Sequence, residues 1–281
     1  MVIVRVPRLR PFVEIATSAL SEDYRFPIVE ALAFLVTLTT FVYASFSVPA
    51  LTSNFPSNIP TYILVSSVLG LPLFLLLVVL LKNVAYGIGT DIERGIIQTY
   101  LSYPIKRHLL LTAKLFSAVI VATFLFLGVQ ILALSLLAPD IILPHISLVL
   151  LTYATNLEGV LLVTGLVLLL TLVTKKGGRS LLWGASLYVG FQVAQIIALN
   201  MAFFARDASS AQTISFLFPN IALGAYFGAG VPTILYGSFV PAYIAWKPTM
   251  DDVLSYTIFG YILVLALYLL SYLYFSRKLN L

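Results

Sequence analysis

Cysteine is absent from the chain, and histidine occurs only at His108 and His145. No disulfide can staple the fold, no thiolate can hold zinc, and there is no H-E-x-x-H pair on a helix. The sequence also lacks a G-x-S-x-G nucleophile elbow. It has no G-x-x-x-x-G-K-[ST] phosphate loop, since Lys176-Gly177-Gly178-Arg179-Ser180 runs in the wrong order and follows no strand. The chain is therefore not expected to be an enzyme by itself, nor to bind a metal. Charge is scarce as well: 10% of the 281 residues are charged, against about 25% in ordinary soluble domains. What fills the space is apolar, at 60% hydrophobic residues and a mean hydropathy of +1.04. This is the composition of an all-α polytopic membrane protein.

A helix needs about 20 apolar residues to cross a bilayer, and six runs qualify: 27–50, 61–82, 112–138, 146–173, 181–204 and 253–275. None alternates as a barrel strand would, so helices that satisfy their own backbone groups are expected. The opening MVIVRVPRLRPF is not expected to be a cleaved signal peptide, because Arg5 interrupts its apolar run and no small-residue cleavage site follows. Residues 8–22 read as an amphipathic helix ahead of the first span, with Leu9, Phe12, Val13, Ala16, Ala19 and Leu20 as its apolar stripe. The segment 205–252 is apolar but broken by Pro219, Pro232, Pro241 and several glycines. It suits two short half-helices dipping into the outer leaflet better than a seventh span, with a Gly/Pro-rich external loop as the alternative.

Lysine and arginine set the orientation. Six spans place 14 of the 16 bases on one side, including Arg5, Arg8, Arg10, Arg25, Lys82, Lys114 and Arg277, and leave Arg206 and Lys247 on the other. Both termini are then expected in the cytoplasm, in a plasma-membrane protein.

The charged stretch DIERGIIQTYLSYPIKR, 91–107, lies between the second and third spans. Thr90 and Glu93 have capping-box spacing. Ile92, Ile96, Ile97 and Tyr100 make one apolar stripe, and Pro104 ends the helix. A short amphipathic cytoplasmic helix over 90–104 is expected, with Gly87, Gly89 and Gly95 permitting tight turns or close backbone contact. The order Glu93-Arg94-Gly95, Tyr100-Leu101, Pro104, Lys106-Arg107 and Lys114 resembles the signature of type 2 ATP-binding-cassette (ABC-2) exporter permeases. The layout of six spans with a connecting helix ahead of them and re-entrant helices before the last span is similar too.

The resemblance implies a permease subunit that forms a substrate pathway as a homodimer or a related heterodimer. Two separate P-loop ATPase subunits would bind ATP and Mg. It implies that 90–104 is the coupling helix, with Thr90, Glu93, Arg94, Gly95, Tyr100, Leu101, Pro104, Lys106 and Arg107 at the ATPase junction, and Lys175, Lys176 and Arg179 as a second contact. Inside the spans, Glu158 is an ionisable group at depth, and Gln130, Asn156, Gln192, Gln195 and Asn200 are polar. These residues either line a translocation pathway or hold helices together by hydrogen bonds. A self-contained channel or proton-coupled transporter using Glu158 is the competing expectation.

Overall fold

The computed structural model describes residues 10–25, 28–51, 58–102, 106–204, 208–227 and 246–277, and among them every regular element is helical. Helix α1 is Arg10–Asp23, α2 Ile28–Leu51, α3 Asn58–Glu93, α4 Ile96–Ser102 and α5 Arg107–Leu137. A turn over Pro139–Ile142 leads through Leu143–His145 into α6, Ile146–Thr174. Helix α7 is Gly177–Phe204, α8 Ser209–Ser215, α9 Pro219–Phe227 and α10 Met250–Arg277. Five of these helices are long and apolar enough to cross a membrane: α3, α5, α6 with its lead-in, α7 and α10. Within α2 the stretch Glu30–Phe46 is apolar but shorter. The protein is an all-helical, membrane-embedded bundle.

The central helix is α6, which packs on α3, α7 and α10. Its long run of buried residues, from Val149 to Leu172, explains its lack of an amphipathic face: every side meets protein. Helix α2 lies against α3 and α5. At the end opposite the lysines, α8 and α9 pack beside α10 through aromatic contacts. Phe216 meets Tyr256 edge-on at 4.8 Å, and Tyr62 of α3 stacks on Phe227 at 4.8 Å. Within 205–252, where two half-helices are expected, the described residues form the short helices Ser209–Ser215 and Pro219–Phe227; residues 228–245 lie outside the described residues.

Three expectations need correcting. Helix α1 buries Ala16 and Ala19 of its expected stripe but adds Ile15 and leaves Val13 53% exposed; Leu9 lies outside the described residues. Its inner face is fixed by Phe12, which meets Phe116 of α5 edge-on at 6.2 Å. Second, the helix of the second span does not stop near 82. It runs on through a π-helical stretch, Lys82–Ile88, to Glu93. Thr90 is therefore interior to α3 and caps nothing. Third, the 90–104 segment is not one helix. The chain breaks at Arg94–Gly95, where Gly95 takes φ +72°, the left-handed conformation that glycine adopts without strain. The Arg94 and Gly95 amides bond the carbonyls of Thr90 (2.9 Å) and Ile92 (3.2 Å), which closes the helix end.

Close backbone contact does occur at Gly89. A Cβ there would lie 2.7 Å from the Cα of Gly177, and one on Gly177 would lie 2.7 Å from the Ala85 carbonyl oxygen. The start of α7 is thereby pressed against the end of α3, as small residues allow between membrane helices. Gly177→Ala should lower the melting temperature in detergent, by an amount equivalent to about 1–3 kcal/mol of overpacking. Gly190→Ala on the same helix, where nothing lies within 4 Å, should leave it unchanged or slightly raised. Equal behaviour of the two variants would refute the tight crossing.

Candidate functional site

The polar chemistry gathers where α1, α3 and α5 meet. Asp91 of α3 and Lys114 of α5 form a buried ion pair, with 4% and 8% of their surfaces exposed. Glu22 of α1 approaches the same ammonium at 4.0 Å from a largely exposed position. Next to it, Asp23 accepts a hydrogen bond from the Ser117 hydroxyl at 2.5 Å, and its backbone carbonyl accepts one from the Lys82 Nζ at 2.9 Å. Tyr24 donates to the Ser117 carbonyl at 2.8 Å, and Asn83 Nδ2 to the Ala118 carbonyl at 3.4 Å.

Local helix geometry explains why these carbonyls accept side-chain donors. Ser117 and Ala118 lie in a second π-helical stretch, Phe116–Val121, which packs on the first, Lys82–Ile88. An extra residue per turn loosens the regular ladder and leaves carbonyls for outside donors. Burial raises the Asp23 carboxyl above its ordinary value of 3.8; the Ser117 hydroxyl and the nearby Lys82 and Lys114 pull the other way.

Around this clasp lie the residues expected at an ATPase junction. Glu93 and Arg94 are exposed at the end of α3, and Gly95 forms the break. On α4, Ile97 is buried, Tyr100 and Leu101 are half-buried and pack on the core, and Ile96 is partly exposed. Lys106 is extended and exposed, and Arg107 opens α5; Pro104 lies outside the described residues. On the second loop, Lys175 adopts φ 55° as it closes α6, its amide bonding the Thr171 carbonyl at 2.9 Å. Lys176 and Arg179 are exposed. The two segments, distant in the chain, are brought together: the Thr90 Oγ1 would lie 3.2 Å from a Cβ on Gly177.

The polar residues within the spans are not brought together. Gln130 of α5 is fully buried and bridges two helices, donating to Thr40 Oγ1 of α2 at 2.7 Å and accepting from the Tyr153 hydroxyl of α6 at 3.0 Å. Asn156 bonds back to the Thr152 carbonyl of its own helix at 2.8 Å. On α7, Gln192 and Asn200 are exposed and Gln195 half-buried, on a helix with little burial along its apolar window. Asn200 bonds its own Ile196 carbonyl at 2.8 Å.

Glu158 is different. It is wholly buried, and neither carboxyl oxygen has a hydrogen-bond partner among the described residues. The carboxyl fits the notch left by Gly260 of α10, where a Cβ would lie 2.9 Å from it. The neighbouring Tyr261 hydroxyl is taken by the Ala154 carbonyl at 3.0 Å.

The Asp91–Lys114 pair and the Asp23–Ser117 bond are not read from the sequence, where Lys114 counts as a cytoplasmic base and as the last residue of the permease-like order. The available signal was that Lys114 stands inside an apolar run, a position a lysine keeps only with a partner. No protein-family model matches the chain, and no curated protein matches its sequence.

Asp91→Asn, which leaves Lys114 buried and unpaired, should cost about 3–5 kcal/mol, whereas the double variant Asp91→Leu/Lys114→Met should recover most of it. Thermal unfolding of the detergent-solubilised chain checks this, and a double variant no better than the single one would contradict it. Because the folded-state value of Asp23 is raised, its contribution to stability is full below 3.8 and is lost as pH rises through the folded value. Acidification from neutrality should therefore raise the melting temperature more in the wild type than in Asp23→Asn. A pH series in which the two curves run parallel would exclude Asp23 as the titrating group.

Proposed function

We propose that the chain is the transmembrane permease subunit of an ATP-driven ABC exporter. In this reading it has six spans with both termini in the cytoplasm, lies in the plasma membrane, and pairs with a second permease copy and two P-loop ATPase subunits that carry ATP and Mg. One observation supports it above the others: the sequence-distant segments around Glu93 and around Lys176 meet through the Gly89–Gly177 contact. Glu93, Arg94, Lys106, Lys176 and Arg179 stay exposed at the same end of the bundle. That is the form of a docking face built from two loops. A push on α4 reaches α3 and α5 together, because the buried Asp91–Lys114 pair ties those helices just above it. Rigid elements with fixed ends carry displacement, which a floppy linker would dissipate. Helices α8 and α9 would then be the re-entrant elements on the external side.

The second reading is a self-contained proton-coupled transporter. The unpartnered Glu158 carboxyl favours it, since an intramembrane ionisable group without a structural partner is by default a functional one.

Purification of the chain from native membranes in mild detergent separates the two. A stoichiometric P-loop ATPase should accompany it, and Glu93→Ala with Arg94→Ala should weaken that association about tenfold or more without affecting insertion. A chain that purifies alone even after cross-linking, and whose transport is abolished by Glu158→Gln, would overturn the exporter reading and establish the second.

A further inference from the structure

Along the α6–α10 seam the two helices touch at matching points two turns apart. Glu158 of α6 meets Gly260 of α10. Further along, a Cβ on Gly165 would lie 3.3 Å from Leu267 and 3.2 Å from the Tyr268 ring. The buried stripe of α10, with Thr257, Gly260 and Val264, follows this line. Glu158 is the acid on it, with none of its surface exposed and neither carboxyl oxygen bonded among the described residues.

The carboxyl is closed in by its neighbours. A Cβ on Gly260 would lie 2.9 Å from its Cγ, Cδ and Oε1 alike. Beside it, a Cβ on Gly159 would lie 3.1 Å from the ring of Phe218, which leads into α9 and meets Phe191 of α7 edge-on at 5.4 Å. From α10 the titratable neighbour is Tyr261, whose hydroxyl is committed to the Ala154 carbonyl. Helices α3, α7 and α9 bring no charged side chain to it among the described residues.

These surroundings select the ligand. A metal ion is held by several donors, and among the described residues no three carboxylate, imidazole or thiolate side chains gather. An organic cation needs room, and this acid already touches the α10 backbone. A proton needs neither, because it cancels the charge without adding a heavy atom. Left ionised there, the carboxylate would sit away from water and from any cation, which is strongly disfavoured.

We propose that Glu158 is a proton-binding site that latches α10 to α6: the seam stays closed while the carboxyl holds its proton and parts when the proton leaves. On release the O–H bond breaks, its electron pair stays on the carboxylate, and a water molecule takes the proton. The anion then needs hydration, which separation of α10 from α6 at the Gly260 notch supplies. The Tyr268 hydroxyl, buried and unbonded on the same seam, gains water in the same motion. The closed seam holds one proton more than the open one, so rising pH favours opening. The latch needs no transport through Glu158 and stands apart from both readings of function; its test reads the seam and not a substrate.

The chain's lack of cysteine gives a direct probe. Val264 is buried between the two contacts, so the thiol of Val264→Cys meets a maleimide when the seam opens. Its labelling rate is followed by mass spectrometry on the full chain in phosphatidylcholine nanodiscs, from mildly acidic to mildly alkaline pH. The measurement is made with Glu158 present and in the Glu158→Gln background. Ionisation of the thiol and of Asp23 acts in both, so the ratio of the two rates isolates Glu158. The ratio should rise with pH, approaching about tenfold per pH unit, the slope for release of one proton. A ratio that is flat or falls with pH, or a thiol still unlabelled at alkaline pH, overturns the latch. Gel filtration and circular dichroism report the fold; if Glu158→Gln does not fold, Glu158→Met supplies the neutral background. Failure of both to fold overturns the proposal as well, because a seam that needs the charged acid is not closed by its protonated form.

Discussion

The arrangement of this bundle depends on one buried ion pair. A lysine and an aspartate on different apolar helices cannot be left alone away from water, since each unpaired charge costs several kcal/mol. Lys114 and Asp91 therefore force α3 and α5 into one register at one depth. The pair itself contributes little net stability, because desolvation offsets most of the attraction. It makes other registers costly instead. Once α3 and α5 are fixed, their π-helical stretches face each other, and the Ser117 and Ala118 carbonyls accept from Tyr24 and Asn83. The amphipathic α1 is then held through the Asp23 carboxyl and its backbone carbonyl.

Elsewhere the same scarcity of water governs how polar side chains are used. Thr152, Thr164, Thr171 and Thr257 all return their hydroxyls to the carbonyl four residues back, so each is neutral to its surroundings and free for packing; Thr40 does the same while also accepting from Gln130. Gln130 is satisfied on both its amide atoms by two neighbouring helices. A few single buried polar atoms, the Tyr268 hydroxyl among them, lack a partner among the described residues, but Glu158 is the one with neither carboxyl oxygen bonded, pressed into the Gly260 notch. A glycine opposite a carboxyl places the backbone of α10 where any side chain would displace the acid. The α6–α10 seam is built around that carboxyl, which ties the position of α10 to its presence.

Much of the fold was legible in the sequence because lipid leaves few choices: a long apolar run must be helical, and the ends of α5, α6, α7 and α10 fall within a few residues of where hydropathy stops. The errors have a common cause. Hydropathy marks where a helix leaves the apolar layer, but not where it ends. Helix α3 continues to Glu93 because Lys82, Asn83 and Asp91 find partners on α1 and α5, information that lies in other segments of the chain. The spacing of Thr90 and Glu93 fits a helix start equally well, and only the tertiary partners of Asp91 decide against it. The Gly95 break is local, needing only its left-handed φ, and a glycine at that position permits such a turn. On α7, by contrast, Gln192 and Gln195 share a face on a helical wheel, yet no wheel says whether that face turns inward or outward.

The clasp shares its walls with an apolar groove of about 70 Å³ between α2, α3 and α5, and this has a mechanical consequence. Helices α3 and α5 frame the groove through Val79 and Ala122 and meet in the clasp through Lys82 and Ser117, less than two turns further along each helix. The π-helical stretches lie between or beside these levels, where the backbone ladder is already loosened. A displacement entering at α4 meets a buried ion pair that resists separation before it meets an apolar contact that does not. Under the proposed transport reading, motion of α3 relative to α5 pivots at the clasp, because parting there would unpair Asp91 and Lys114. Such a rotation changes the width of the groove beside α2 while leaving Asp91 and Lys114 together. The charged end of the bundle thus sets the axis of any such motion.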